Sequence, residues 1–153
     1  MWRPQSGEHL SILFDVFALG QEVRTLLGTA MRDAGMRPDE YAAYSVVFED
    51  GPTTLTAMAR TLGMPVTTAA DYVKAMAARR HVRRRANPAD QRSQLLSLTA
   101  AGLRAHERAS HCFGRAYQSW QNELGPLEEG EARRVLQALA ASAHRAALAV
   151  GTD

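Results

Sequence analysis

The sequence predicts a mainly α-helical fold with one small β-hairpin. Apolar residues recur at helical spacing over most of the chain, and glycine or proline separates the successive segments. One segment differs, because Val82–Ala86 and Ser93–Leu98 can form two strands joined by the turn residues Asn87-Pro88-Ala89-Asp90. A length of 153 residues suits a single domain with a sizeable core.

Two short helices are predicted just before this hairpin. The first has one apolar face, formed by Leu55, Met58, Ala59 and Leu62. Thr53 or Thr54 can cap its start, and Gly63 can end it in a left-handed turn. The second helix can begin at Pro65 and continue to Ala78. Two helices joined in this way follow the helix-turn-helix plan, whose second helix can enter the major groove of DNA.

Several short motifs extend from the first of these helices to the residues after the hairpin. They are Met58-Ala59, Leu62-Gly63, Val82–Arg85, Asn87-Pro88, Asp90-x-Arg92, Leu98-Thr99 and Gly102. In this combination they resemble the MarR-type winged-helix transcription regulators, densely over 41–102 and only in architecture elsewhere. The resemblance implies a single domain over residues 1–153, with a winged helix-turn-helix lobe over 38–102 and a helical dimerisation body over 9–34 and 103–150.

Basic residues are concentrated in one part of the chain. Seven of them lie between positions 74 and 92, namely Lys74, Arg79, Arg80, Arg83, Arg84, Arg85 and Arg92, and only Asp90 opposes them. This segment therefore carries +6, and the remainder carries −4 because the whole chain carries +2. A basic patch on an otherwise acidic protein favours a polyanionic partner. A solvated charged face is the alternative, and the preceding helix-turn-helix favours double-stranded DNA.

On the second helix, Thr67, Thr68 and Lys74 are the predicted DNA contacts. Regulators of this type usually carry threonine and then arginine where this chain has Ala70 and Asp71, and glycine where it has Arg80. Asp71 faces the groove as well. Its carboxylate can accept a hydrogen bond from cytosine N4, although phosphates repel it.

On the hairpin and just before it, the predicted DNA contacts are Arg79, Arg83, Arg85 and Arg92. Side chains alternate between the two faces of a strand, so Arg84 points away from its two neighbours. We therefore expect Arg84 to pair with Asp90 and to hold the tip of this hairpin, the wing, in place.

The first helix is predicted over residues 9–34, after a loose arm at 1–8. Its apolar residues form two stripes, so the helix is expected to be buried on two sides. In a chain this small, a partner subunit is the simplest cover for the second side. Long helices over 99–124 and 128–150 complete the predicted body of a homodimer. A monomeric α-helical core is the alternative.

The resemblance also implies a small-molecule effector, because regulators of this type often release DNA when a small aromatic, commonly acidic molecule binds between body and lobe. In this chain the junction would involve Phe17, Tyr41, Tyr44 and His106. A buried tyrosine hydroxyl needs a partner. The alternative is that both tyrosines are core residues whose hydroxyls reach the surface or a backbone carbonyl.

Several classes of protein are disfavoured. The five histidines are scattered and there is one cysteine, so we expect no metal, no cofactor and no disulfide. No nucleophile–base motif or phosphate-binding glycine loop favours an enzyme, and no run approaches the roughly 18 apolar residues of a membrane span. The prediction is a cytoplasmic bacterial-type repressor that binds a pseudo-palindromic operator as a homodimer. The alternative is an effector-binding or protein-interaction module with weak or no operator binding.

Overall fold

A computed structural model of the chain describes residues 11–125 and 127–151. Its helices are α1 (Ile12–Ala30), α2 (Pro38–Glu49), α3 (Leu55–Leu62), α4 (Val66–Ala78), α5 (Ala100–Glu123) and α6 (Glu129–Val150). Its strands are β1 (Thr53–Thr54), β2 (Val82–Ala86) and β3 (Gln94–Leu98). The predicted fold class is confirmed. The predicted arm at 1–8 and the start of the first helix at His9 lie outside the described residues.

The described residues fall into two compact units, and the boundary lies within α5. One unit ends at Tyr117 and contains α1 to α4, the sheet and most of α5, whereas the other begins at Gln118 and contains α6. Among the described residues, no helix is long and apolar enough to cross a membrane.

The three strands form one antiparallel sheet in the order β1-β3-β2. Val82 lies opposite Leu98 and Arg84 lies opposite Leu96, as expected for the predicted hairpin. The short strand β1, which the sequence did not predict, adds Thr53 opposite Leu96. Val82, Leu96 and Leu98 are all buried, so one face of the sheet packs against the core of the lobe. Arg84 belongs to this same face because side chains two residues apart on a strand point the same way.

The core of the first unit lies between α2, α3, α4 and the sheet. Its most completely buried large side chains are Tyr44, Met31, Met58, Met76 and Val47. Both ends of α3 form as predicted. Thr54 Oγ1 caps its start by accepting a hydrogen bond from the Ala57 N–H at 3.2 Å, and Gly63 ends it with a left-handed φ of 63°. The buried residues of α4 pack into this core, and this packing sets the orientation of the helix.

The joint between α4 and the hairpin is unusual. Arg80 has a φ of 58°, in the left-handed region that normally favours glycine. The Arg80 N–H bonds the Ala77 carbonyl and the His81 N–H bonds the Met76 carbonyl, both at 2.9 Å, which is the Schellman pattern for ending a helix. Thr99 ties the start of α5 to the same point, since its hydroxyl donates to the Arg80 carbonyl at 2.8 Å. Thr99 also caps α5, as its position predicts, by accepting from the Gly102 N–H at 3.1 Å.

Candidate nucleic-acid interface

The outer face of α4 is open to solvent. Thr67, Thr68, Asp71 and Lys74 are all exposed, and their spacing places them on one side of the helix. The opposite side is buried in the core through Ala69, Val73 and Met76. This division leaves four polar side chains available to a partner, as the sequence predicted.

The wing presents its arginines on both faces. Arg83 and Arg85 are exposed on the face away from the core, and Arg84 is exposed on the other face. Arg84 lines a groove of about 490 Å³ between α4 and the wing. The groove lining also includes Ala70 and Val73 of α4 and Gln91, Arg92 and Gln94 of the wing. Arg84 and Arg92 therefore face the space beside the second helix of the helix-turn-helix.

The predicted ion pair between Arg84 and Asp90 is wrong. No ion pair involves either residue within 11–125 and 127–151. Instead, the Asp90 carboxylate accepts a hydrogen bond from the Arg92 N–H at 3.0 Å, and Asn87 donates from its amide to Ser93 Oγ at 2.8 Å. Local turn bonds of this kind hold the wing tip without Arg84, so its guanidinium remains free to face the groove.

Arg79 has a structural partner, although its side chain is 44% exposed. Its guanidinium lies 3.1 Å from Glu40, a carboxylate at the start of α2 that is only 9% exposed. Glu40 also accepts from the Arg37 N–H at 2.9 Å. This pair gives Arg79 a structural role, in which it anchors the end of α4 to α2, and its contact with DNA stays a prediction.

Tyr44 forms a second polar pair, with His81. It is 1% exposed, and its hydroxyl lies 2.8 Å from His81 Nδ1. Burial raises the pKa of Tyr44 and, together with the nearby Arg79 charge, lowers the pKa of His81. A neutral His81 can accept a hydrogen bond from the Tyr44 hydroxyl. The two pairs, Glu40 with Arg79 and Tyr44 with His81, thus both join α2 to the α4–β2 joint.

The predicted effector residues are not all together. Tyr41 stacks on His106 with ring centroids 5.3 Å apart, and Phe48 stacks on His106 at 4.5 Å. Tyr44 instead turns its hydroxyl towards His81, and Phe17 is 65% exposed on α1. Tyr44 is therefore a core residue, which is the alternative that the sequence left open, and the place of Phe17 in the pocket stays a prediction.

The residues that do meet form an aromatic cluster of Tyr41, Phe48, His106 and Phe113. Ser45 Oγ lies 3.2 Å from His106 Nε2, and burial lowers the pKa of His106. A groove of about 380 Å³ adjoins the cluster along Phe48, Leu103, His106 and Glu107. Phe48 and Phe113 were missed as site residues, although Phe48 follows Tyr41 and Tyr44 at helical spacing.

Comparison with solved structures identifies the architecture. The transcriptional regulator PcaV of Streptomyces coelicolor, solved with its natural ligand, matches with a TM-score of 0.71 and 23% identity over 95% of this chain and 99% of that chain. MOSR of Mycobacterium tuberculosis, solved in complex with DNA, has a TM-score of 0.75 and 20% identity, covering 90% of this chain and 98% of its own. This chain has the MarR-type winged-helix fold.

A third structure has the same MarR-type fold. CouR of Rhodococcus jostii, bound to p-coumaroyl-CoA, has a TM-score of 0.75 and 21% identity over 89% of this chain and 96% of that chain. No protein-family model and no curated protein matches the sequence. The resemblance drawn from the wing motifs is thus confirmed, with α3 and α4 as the helix-turn-helix and β2 and β3 as the wing.

Proposed function

We propose that this protein is a sequence-specific DNA-binding transcriptional regulator, a ligand-responsive repressor that binds a pseudo-palindromic operator as a homodimer. One observation carries the proposal: the exposed polar face of α4 lies beside a groove into which Arg84 and Arg92 of the wing both face. With α4 in the major groove, the wing arginines lie near phosphates and the adjacent minor groove.

The electrostatics support a nucleic-acid partner. Arg83, Arg84, Arg85 and Arg92 form no ion pair with any described residue, so their charges are available to an external polyanion. Arginine is also the side chain that a narrow minor groove attracts most readily. Among proteins of the same fold, MOSR has been solved with DNA.

A homodimer is supported by apolar surface in both compact units. In α1, none of the 19 residues is buried, and Leu13 and Phe17 are 70% and 65% exposed. In α6, Val135 and Leu148 are 54% and 61% exposed. Exposed apolar faces of this extent typically mark interaction sites, and we assign them to the second copy of the chain. Two recognition helices related by a twofold axis require half-sites about one DNA turn apart.

Light scattering tests the homodimer. The full chain should have twice its mass of 16.7 kDa, and a chain lacking residues 131–153 should lose both dimerisation and operator binding. A stable monomer of the full chain that still protects one half-site would contradict the dimer.

The aromatic cluster is the best-supported effector site. His106 is held between two aromatic rings, and the adjoining groove offers an open edge of Phe48 and Leu103. We therefore propose a small aromatic or phenolic effector that stacks on this cluster. CouR and PcaV, which share the fold, were solved with p-coumaroyl-CoA and a natural ligand respectively. An effector can release DNA only by binding the DNA-incompetent conformation more tightly.

A thermal-shift screen of phenolic and aromatic acids tests this site. Hits should stabilise the wild type and Tyr72→Phe, because the Tyr72 hydroxyl bonds Asp39 and Tyr72 is not a member of the cluster, but should not stabilise Phe48→Leu. Hits should also weaken operator binding. Compounds that stabilise all three proteins equally, and leave DNA binding unchanged, would place effector binding elsewhere.

The deciding experiment for DNA binding is a salt titration. If each subunit neutralises about four phosphates, the slope of log K against log salt is roughly −7 for a dimer. Fluorescence anisotropy with DNA flanking the protein's own gene, from about 50 to 200 mM salt, measures this slope. A slope near zero would reject DNA binding.

The alternative is an effector-binding or protein-interaction module that retains the fold with weak operator binding. One observation favours it, because Ala70 and Asp71 stand where regulators of this fold usually carry threonine and arginine. The same titration separates the two functions, since an interaction module retains effector binding but has no specific DNA affinity.

A further inference from the structure

We propose that Asp71 reads a base, and that it makes a cytosine in each half-site of the operator the preferred base opposite α4. The proposal deepens the DNA-binding function proposed above and depends on it. It assigns to one side chain a specificity that the overall charge of the lobe does not provide.

Asp71 lies at the centre of the exposed face of α4. Thr67 and Thr68 are four and three residues before it and Lys74 is three residues after it, so all three neighbour it on the helix surface. It is the only acidic residue in α4, and no ion pair with a described residue engages its carboxylate. A helix seated in the major groove along this face brings Asp71 to the bases.

A carboxylate in this place has few acceptable partners. When it is ionised, a carboxylate accepts hydrogen bonds but cannot donate them. If it loses its water without gaining a hydrogen-bond donor, this costs free energy. DNA phosphates are acceptors of the same charge, so they repel it. Guanine presents only the acceptors N7 and O6 in the major groove, and thymine presents O4 and a methyl group. The remaining donors are the amino groups of cytosine and adenine.

Cytosine is the better of these two partners. The adenine N6 amino group lies beside the N7 acceptor, which suits an amide that both donates and accepts but opposes a carboxylate. The cytosine N4 amino group has no acceptor beside it on the major-groove edge of the same base. Asp71 therefore favours cytosine, whereas asparagine at the same position favours adenine. This difference makes the base preference itself the measurable quantity.

Selection from randomised duplex DNA tests the proposal with four full-length proteins: the wild type, Asp71→Asn, Asp71→Ala and Asp33→Asn. Asp33 is an exposed acid in the turn after α1, so its substitution removes the same charge away from α4. The wild type and Asp33→Asn should select one dominant cytosine in each half-site. Asp71→Asn should shift that single position to adenine, and Asp71→Ala should lose the preference there.

Affinity measurements on the selected site give the size of the effect. Changing the cytosine pair of one half-site to adenine·thymine should weaken wild-type binding about 5- to 150-fold. Asp71→Asn should show the reverse preference on the same two duplexes. Because Asp71 is exposed, all four proteins should unfold at closely similar urea concentrations, which separates the effect from misfolding.

Two results would overturn the proposal. If the wild type, Asp71→Asn and Asp71→Ala select the same sequence, and Asp71→Ala binds more tightly everywhere, Asp71 only repels the DNA backbone. In that case the DNA-binding function stands and the base-reading role is wrong. If the wild type selects no sequence at all, the proposed regulator function fails and Asp71 loses its role with it.

Discussion

The outer face of the lobe and the joint at the end of α4 use similar residues in opposite ways. On the outer face, Arg84 and Arg92 form no ion pair with a described residue, and they face an open groove. At the joint, Arg79 is paired with Glu40, and the Tyr44 hydroxyl is bonded to His81. Paired charges contribute to stability and position, whereas unpaired charges are available to a partner.

The arginines between positions 79 and 92 therefore do not form one patch. Variants at the joint should change the free energy of unfolding, and variants on the outer face should change DNA affinity. A variant of either kind can be compared with a matched control, so that either half of the contrast can fail separately.

The largest effect is expected at Gly102. A Cβ at this position would collide with the His81 carbonyl oxygen, a backbone atom of the joint. Gly102→Ala should therefore destabilise the protein by about 3 kcal/mol, measured by urea unfolding. Gly114→Ala in the same helix meets nothing within 4 Å and should stabilise by up to about 1 kcal/mol. Equal midpoints for the two variants would show that the joint tolerates movement.

Arg84 and Arg79 provide the most direct test of the contrast. Arg84→Ala should weaken operator binding by about 1–3 kcal/mol and reduce the salt slope, with no change in unfolding. Arg79→Ala should leave the salt slope unchanged but lower stability by about 1 kcal/mol, because the buried Glu40 loses a charged partner. If Arg79→Ala reduced the slope as much as Arg84→Ala, Arg79 would belong to the DNA-facing set after all.

Tyr44 and Tyr72 separate a buried hydroxyl from an exposed one. Tyr44→Phe should lower stability by about 1–2 kcal/mol, since the part-buried His81 loses its hydrogen-bond partner. Tyr72 donates to Asp39 at 2.7 Å in an exposed position, so Tyr72→Phe should cost less than about 0.5 kcal/mol. Calorimetry of the two variants measures the difference. A larger loss for Tyr72→Phe would reverse the assignment of the two hydroxyls.

Arg80 tests the backbone of the joint. Its left-handed φ of 58° costs a non-glycine residue about 1 kcal/mol or more. Arg80→Gly should recover part of this cost and raise stability by about 0.5 kcal/mol, because glycine also loses more entropy on folding. Arg80→Ala is the control, since it removes the charge and keeps the strain. Equal stability of the two variants would mean that the strain is absent.

The smallest effect is a dependence of stability on pH. Burial lowers the pKa of both His81 and His106 in the folded state below the unfolded value of about 6.5. The unfolded chain therefore binds more protons in this range, so stability is full above about pH 6.5 and falls as the pH drops through the folded pKa values. Urea midpoints between pH 8 and 5 should show this fall, and His106→Gln should reduce it. Stability that rises on acidification would contradict the pKa directions.

The elements that depend on near neighbours could be predicted from the sequence. Apolar spacing predicted α3 and α4, Gly63 predicted the turn between them, and the turn residues at 87–90 predicted the position of the wing. It also located Arg80 where glycine is usual, and that residue is left-handed in the structure. These features follow from local backbone and capping chemistry, which a short stretch of sequence contains.

Which polar side chains meet depends on the packing of distant elements and could not be predicted from local sequence. Tyr44 bonds His81, 37 residues away, and Ser45 bonds His106, 61 residues away, so neither partner follows from local spacing. Arg79 and Arg84 are equally basic in the sequence, yet α2 brings Glu40 to the first while strand alternation turns the second towards the groove. Local patterns specify helices and turns, but partners distant in the chain are set by how those elements pack.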